Sequence, residues 1–70
     1  MNIVEIKDES IELNKLLKFE GLVESGGQAK ALINEGYVMV NDDICKVVRK
    51  KLFDGDVVEF NGHIMKIKTN

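Results

Sequence analysis

The hydrophobic pattern of this chain changes period at Gly36. Before it, apolar residues recur three and four apart, as Leu13, Leu16 and Leu17 and then as Ala29, Leu32 and Ile33. That spacing puts each set on one stripe of an α-helix. After it, "YVMVN" and "DVVEFNGHIMKI" alternate apolar and polar residues, the pattern of half-buried strands. Near the N-terminus, "NIVEIK" reads as a further short strand. A chain of 70 residues supports one domain with one small core, so residues 1–70 are expected to form a single unit. The fold class this predicts is α+β: two short helices as an αα-hairpin, packed on a small, mostly antiparallel sheet.

Local signals mark the ends of these elements. Asp8, Glu9 and Ser10 offer N-cap chemistry for a first helix spanning about Ile11 to Glu20, with Gly21 as its left-handed stop and Leu22 packing back on Leu17. Ser25 and Gln28 form the S-x-x-Q capping box of a second helix, which Gly36 and Tyr37 end in the same way. Asn61–Gly62 between alternating segments predicts a hairpin with a type I′ turn. Asn41–Asp42 marks another turn, and Asp54 and Asp56 around Gly55 look like turn formers.

Composition excludes several classes of function. Cys45 is the only cysteine, so no internal disulfide forms, and no Cys/His cluster points to a metal; a reducing compartment fits. No apolar stretch approaches the roughly 20 residues that span a bilayer, and acids stand where a signal peptide would be apolar. A cytoplasmic protein is expected, with no membrane partner and no cofactor. His63 lies beside the Asn61–Gly62 turn without an acid or nucleophile in register, and Cys45 reads as a small buried or half-buried strand residue. Nothing amounts to an active site, so an enzyme is not expected.

The net charge is −2, but its distribution is uneven. Lys7, Lys15 and Lys18 face Glu5, Asp8, Glu9, Glu12, Glu20 and Glu24 in the first third. From Ile44 to Phe53, by contrast, Lys46, Arg49, Lys50 and Lys51 are unbroken by any acid. Such a run creates local positive potential whatever the total, although lysines also guard edge strands against aggregation. Lys15 and Lys18 share the side of the first helix opposite its leucines. Gly26 and Gly27 raise a separate question, because glycine is a poor helix former. At a helix N-terminus the amides lack intrahelical partners and the dipole is positive, so bare backbone admits a phosphate, and Lys30 shares their helix face. Close packing of the two helices is the other explanation. The aromatic residues Phe19, Tyr37, Phe53 and Phe60 are expected mostly in the core.

Four stretches stand in a telling order: "ELNKLL" (Glu12–Leu17), "GLVESGGQAKALI" (Gly21–Ile33), "GYVMVND" (Gly36–Asp42) and "KLFDGDVV" (Lys51–Val58). Together they resemble the RNA-binding module first described in small-subunit ribosomal protein S-four, also called the αL motif. That module reads R-L-D-K-x-L, G-L-x-x-S-R-x-x-A-K-x-L-I, G-x-V-x-V-N-G and K-L-x-x-G-D-x-V. The "ESGGQAK" form, with a strand before the first helix, is similar to small stand-alone bacterial members of the YbcJ/YaaA type.

The resemblance implies binding of structured RNA, ribosomal or transfer RNA, in ribosome assembly or translation, with a ribosomal or translation-factor protein as a further partner. By position it implies contacts from Lys15, Ser25, Gln28, Lys30, Asn41 and the Arg49–Lys51 segment. The residue-level reading adds Lys18, Gly26 and Gly27. Residue types alone leave the two explanations of the glycines even, and it is the resemblance that favours the phosphate one. Glu12 and Gly26 stand where the module usually has arginines, so two of its cations are absent. The alternative is a protein–protein adaptor using the acidic N-terminal helix or a sheet edge.

Overall fold

In the computed structural model, which describes residues 1–70, the chain forms two short helices on one face of a five-stranded sheet. In chain order the elements are β1 (Asn2–Ile6), β2 (Ile11–Glu12), α1 (Leu13–Phe19), α2 (Gly26–Asn34), β3 (Val38–Val40), β4 (Asp43–Ile44), β5 (Lys51–Leu52), β6 (Val57–Phe60) and β7 (His63–Thr69). The sheet runs β1-β7-β6-β3-β4, and β2 pairs with β5 as a separate two-stranded ribbon. Every pairing is antiparallel except β1 with β7, which lie parallel with Asn2 opposite Met65 and Ile6 opposite Thr69. The α+β architecture expected from the change of period is the one observed.

Strand alternation sorts the side chains. Val4, Ile6, Val38, Val40, Val58, Phe60, Met65 and Ile67 point inward to meet Leu13, Leu16 and Leu17 of α1 and Ala29 and Ile33 of α2. Val23, from the link between the helices, and Leu52, from β5, complete the core. All fifteen buried residues are apolar, so no buried side chain carries a desolvated charge.

Both helices end as their sequences predict. Gly21 and Gly36 have positive φ, and each is followed by the paired backbone bonds of a Schellman motif: Leu22 N–H to the Leu17 carbonyl at 3.0 Å, and Tyr37 N–H to that of Leu32 at 3.2 Å. Asn61 and Gly62 both have positive φ, as a type I′ turn demands, and set Phe60 opposite His63. Asn41 and Asp42 repeat that geometry between β3 and β4. Around Gly55, the Asp56 carboxylate accepts from Phe53 N–H at 2.7 Å and closes the turn, whereas that of Asp54 accepts from Thr69 N–H at 2.9 Å and ties the turn to the end of β7.

Two expectations need correction. The first helix begins at Leu13, not Ile11, and its N-cap is Glu12, whose side chain makes no capping bond. Ile11 and Glu12 instead pair with Leu52 and Lys51. The first helical amides are satisfied from afar: Leu13 N–H donates to the Lys50 carbonyl at 2.8 Å and Asn14 N–H to that of Val48 at 3.1 Å. A local cap from Ser10 is thereby made unnecessary. The aromatics differ too, since only Phe60 is buried, while Phe19, Tyr37 and Phe53 are 65%, 62% and 50% exposed. Phe19 ends α1 away from the leucine stripe, and the other two lie just beyond element ends, where the core has no depth left. Neither helix is long and apolar enough to cross a membrane.

Leu52 is fully buried on a strand of only two residues, and it anchors the segment that caps α1. Leu52→Ala is expected to lower unfolding free energy by about 2–5 kcal/mol. A urea melt followed by circular dichroism checks this, and a loss below about 1 kcal/mol would contradict the role.

Candidate functional site

The residues singled out from the sequence fall into two groups and one outlier. The first group surrounds the N-terminus of α1. Because the Lys50 and Val48 carbonyls cap that helix, the loop between β4 and β5 is drawn against it. Lys51 is the register partner of Glu12. The Glu12 carboxylate lies 3.5 Å from Lys15 Nζ and 3.7 Å from Arg49 Nε. Lys18, in the last turn of α1, joins Lys15, Phe19 and Ser10 in lining a groove of about 620 Å³ that Asp8 and Glu12 also line. Backbone hydrogen bonds thus bring the Arg49–Lys51 segment to the helix end that carries Lys15, while Lys18 lies toward the other end. The segment from Cys45 to Lys50 is loop, so its basic residues do not guard an edge strand.

Lys46 is set apart from this group. Its Cε lies 3.4 Å from where a Cβ would stand on Gly36, just past the end of α2. That places it beside the C-terminal end of α2.

The second group is the first turn of α2. Ser25 Oγ accepts from Gln28 N–H at 3.1 Å, and Gln28 Oε1 accepts from Glu24 N–H at 2.7 Å. The capping box therefore forms, with its return bond one residue earlier than the usual pattern. It leaves the N–H groups of Gly26 and Gly27 without an acceptor in the protein.

The packing explanation for these glycines fails. A Cβ on Gly26 would meet nothing within 4 Å, and one on Gly27 only Ser25 Oγ at 3.9 Å. Neither residue has positive φ. Neither sterics nor dihedral angle demands glycine at these two positions. What they supply is two bare, solvent-facing amides at the positive end of a helix, with exposed Lys30 one turn on. The arrangement suits an anion approaching the backbone.

Asn41 stands outside both groups. Its amide nitrogen donates to Asp56 at 3.0 Å and its amide oxygen accepts from Val57 N–H at 2.9 Å. The side chain thus ties the β3–β4 turn to the start of β6. Nothing in the local sequence reveals this, because the partners lie fifteen and sixteen residues away. The feature that sequence reasoning missed is Glu12 as the meeting point of two cations; the signal available was Glu12 and Lys15 at helical i, i+3 spacing.

Comparison with known proteins places this geometry. The family model described as S4 domain matches residues 4–68. A Bacillus subtilis (strain 168) protein named probable ribosome maturation protein RlbA is 41% identical over 61 residues, covering 87% of this chain and 86% of its own. The Escherichia coli (strain K12) protein named putative RNA-binding protein YbcJ is 43% identical over 61 residues, covering 87% of each chain. The solution structure of E. coli YbcJ, described as revealing an αL motif involved in RNA-binding, superposes with a TM-score of 0.72 at 39% identity, over 97% of this chain and 87% of that one.

The glycines yield a test of opposite signs. Gly26→Ala or Gly27→Ala is expected to stabilise the protein by about 0.5–1 kcal/mol, since alanine fits and helps the helix. Gly36→Ala is expected to destabilise by about 1 kcal/mol or more, through its φ of +85°. Denaturation midpoints of the three variants decide it.

Proposed function

The chain belongs to the S4 domain family, and from that membership together with the geometry of its two basic groups we propose that it binds structured RNA without catalysis. One observation carries the reading: two glycine amides at the start of α2 face solvent without acceptors, where alanine would fit and stabilise. They offer hydrogen bonds to a phosphate, and Lys30 adds charge. The cations around α1 (Lys15, Lys18, Arg49, Lys50, Lys51) supply further backbone contacts along the same helical pair. Ser25 and Gln28 act by holding the first turn of α2 in shape, and Asn41 by fixing the neighbouring strand-turn.

Recognition by shape and phosphate follows from what the surface lacks. The exposed Phe19, Tyr37 and Phe53 sit at the end of α1, before β3 and after β5, and no groove brings two of them together as a stacking platform. One relative is named a probable ribosome maturation protein and another a putative RNA-binding protein, which supports ribosome maturation as the setting; ribosomal RNA is then the first candidate substrate and transfer RNA the second. A ribosomal or translation-factor protein is the natural companion. The adaptor reading draws on Ile3, exposed on the edge strand β1, and Ile64, exposed on the adjoining β7; the acidic helix it also invokes is absent, since α1 holds two lysines and no acid. It offers no explanation for the glycines.

The test is binding of purified protein to folded total ribosomal RNA across a salt series. Lys30→Ala/Arg49→Ala is expected to bind at least tenfold more weakly, with a log–log salt slope shallower by about 1.5–2. Gly27→Ala is expected to weaken binding while raising stability, a pairing that unfolding cannot produce. If the wild type binds no RNA at low salt, the proposal is wrong and the adaptor reading takes its place.

A further inference from the structure

Of twelve aspartate and glutamate residues, Glu12 alone lies within 4.0 Å of a cationic side chain, and it holds two. The arrangement is layered. The Glu12 side chain is 23% exposed, whereas those of Lys15 and Arg49 are 68% and 77% exposed. The carboxylate therefore lies beneath two cations that reach solvent. It contributes nothing to the helix cap, since the α1 amides are satisfied by backbone carbonyls. Nor is it needed to keep a buried charge company, because both cations are mostly in water.

We propose that Glu12 is a resident competitor for RNA phosphate: it holds Lys15 and Arg49 against the protein, and a phosphodiester has to draw those two cations away from it. The inference rests on the RNA-binding reading and assigns to one residue the control of its affinity and selectivity. Two opposing effects have to be weighed. An ion pair orients its partners, which favours a ligand, and it neutralises them, which opposes an anionic one. At 3.5 and 3.7 Å these contacts are longer than the 2.7–2.9 Å of a charge-assisted hydrogen bond, and neither is bidentate. Orientation is accordingly weak. The Coulomb term falls only as the inverse of distance, and half-burial of the carboxylate protects it from screening. Neutralisation wins. A diffuse polyanion pays this toll at every encounter, while a folded RNA that also engages the α2 amides recovers it, so Glu12 works against promiscuous binding.

The experiment compares wild type, Glu12→Gln and Glu59→Gln with two probes, folded total ribosomal RNA and poly(U), across a salt series. Glu59 is exposed on β6, away from the basic groups, and its substitution changes net charge equally. Glu12→Gln is expected to bind poly(U) about five- to tenfold more tightly, with a salt slope steeper by about 1 to 2, and to gain less on folded RNA. Glu59→Gln should change either affinity by less than about twofold. In a Lys15→Ala/Arg49→Ala background the Glu12→Gln gain should vanish, and unchanged thermal midpoints exclude a folding effect. Equal gains from Glu12→Gln and Glu59→Gln would overturn the inference, and so would weaker binding by Glu12→Gln, which would make Glu12 a positioning residue. Loss of all binding, by wild type and variants alike, would overturn the RNA reading itself.

Discussion

Two backbone hydrogen bonds organise this molecule: those from the first amides of α1 to the carbonyls of Lys50 and Val48. A helix start exposes donors that need acceptors, and here they come from a loop some thirty-five residues downstream. The same loop carries Arg49 and Lys50 and leads into Lys51. Satisfying the helix therefore also delivers the basic residues to it. The short pairing of β2 with β5 and the full burial of Leu52 hold the loop in that position. Structure and site share one cause, and neither can be altered at this point without the other.

How far the sequence disclosed this depends on the range of the interaction involved. Both Schellman stops, the capping box and the type I′ hairpin are local, because a glycine, serine or asparagine acts on residues within one turn. They were legible. The start of α1 was misplaced because Asp8, Glu9 and Ser10 looked like local caps, whereas the real acceptors are distant carbonyls that leave no mark on residue type. The exposure of Phe19, Tyr37 and Phe53 was equally hidden, since hydrophobicity does not reveal that a core of fifteen side chains is already full. In the site, the α2 turn could be read residue by residue. The split of the basic run, with Lys46 at the end of α2 and Arg49–Lys51 at the start of α1, required the tertiary fold.

Under the proposed function, stability and binding pull apart over a few residues of the candidate site. At Gly36 glycine is dictated by backbone conformation. At Gly26 and Gly27 it is not, and the chain forgoes the helix propensity that alanine would provide. Similarly, an acid, Glu12, lies against two cations, Lys15 and Arg49, on a protein whose net charge is already negative. In each case the residue present is the less stabilising or less attractive one, as expected where a surface is shaped for a ligand.

The parallel pairing of β1 with β7 has a kinetic consequence. Asn2 meets Met65, so the first strand of the chain waits for the last before it has any partner in the sheet. During synthesis the two helices and β3 can form local structure early, but β1 remains an unpaired edge-former until Thr69 is available. Closing a loop of that length costs entropy before any strand contact repays it, which places the joining of β1 to β7 late on the folding path. Until that moment Ile3, Val4 and Ile6 are free to pair with other chains. Misassociation through β1 thus stays open until β7 is in place.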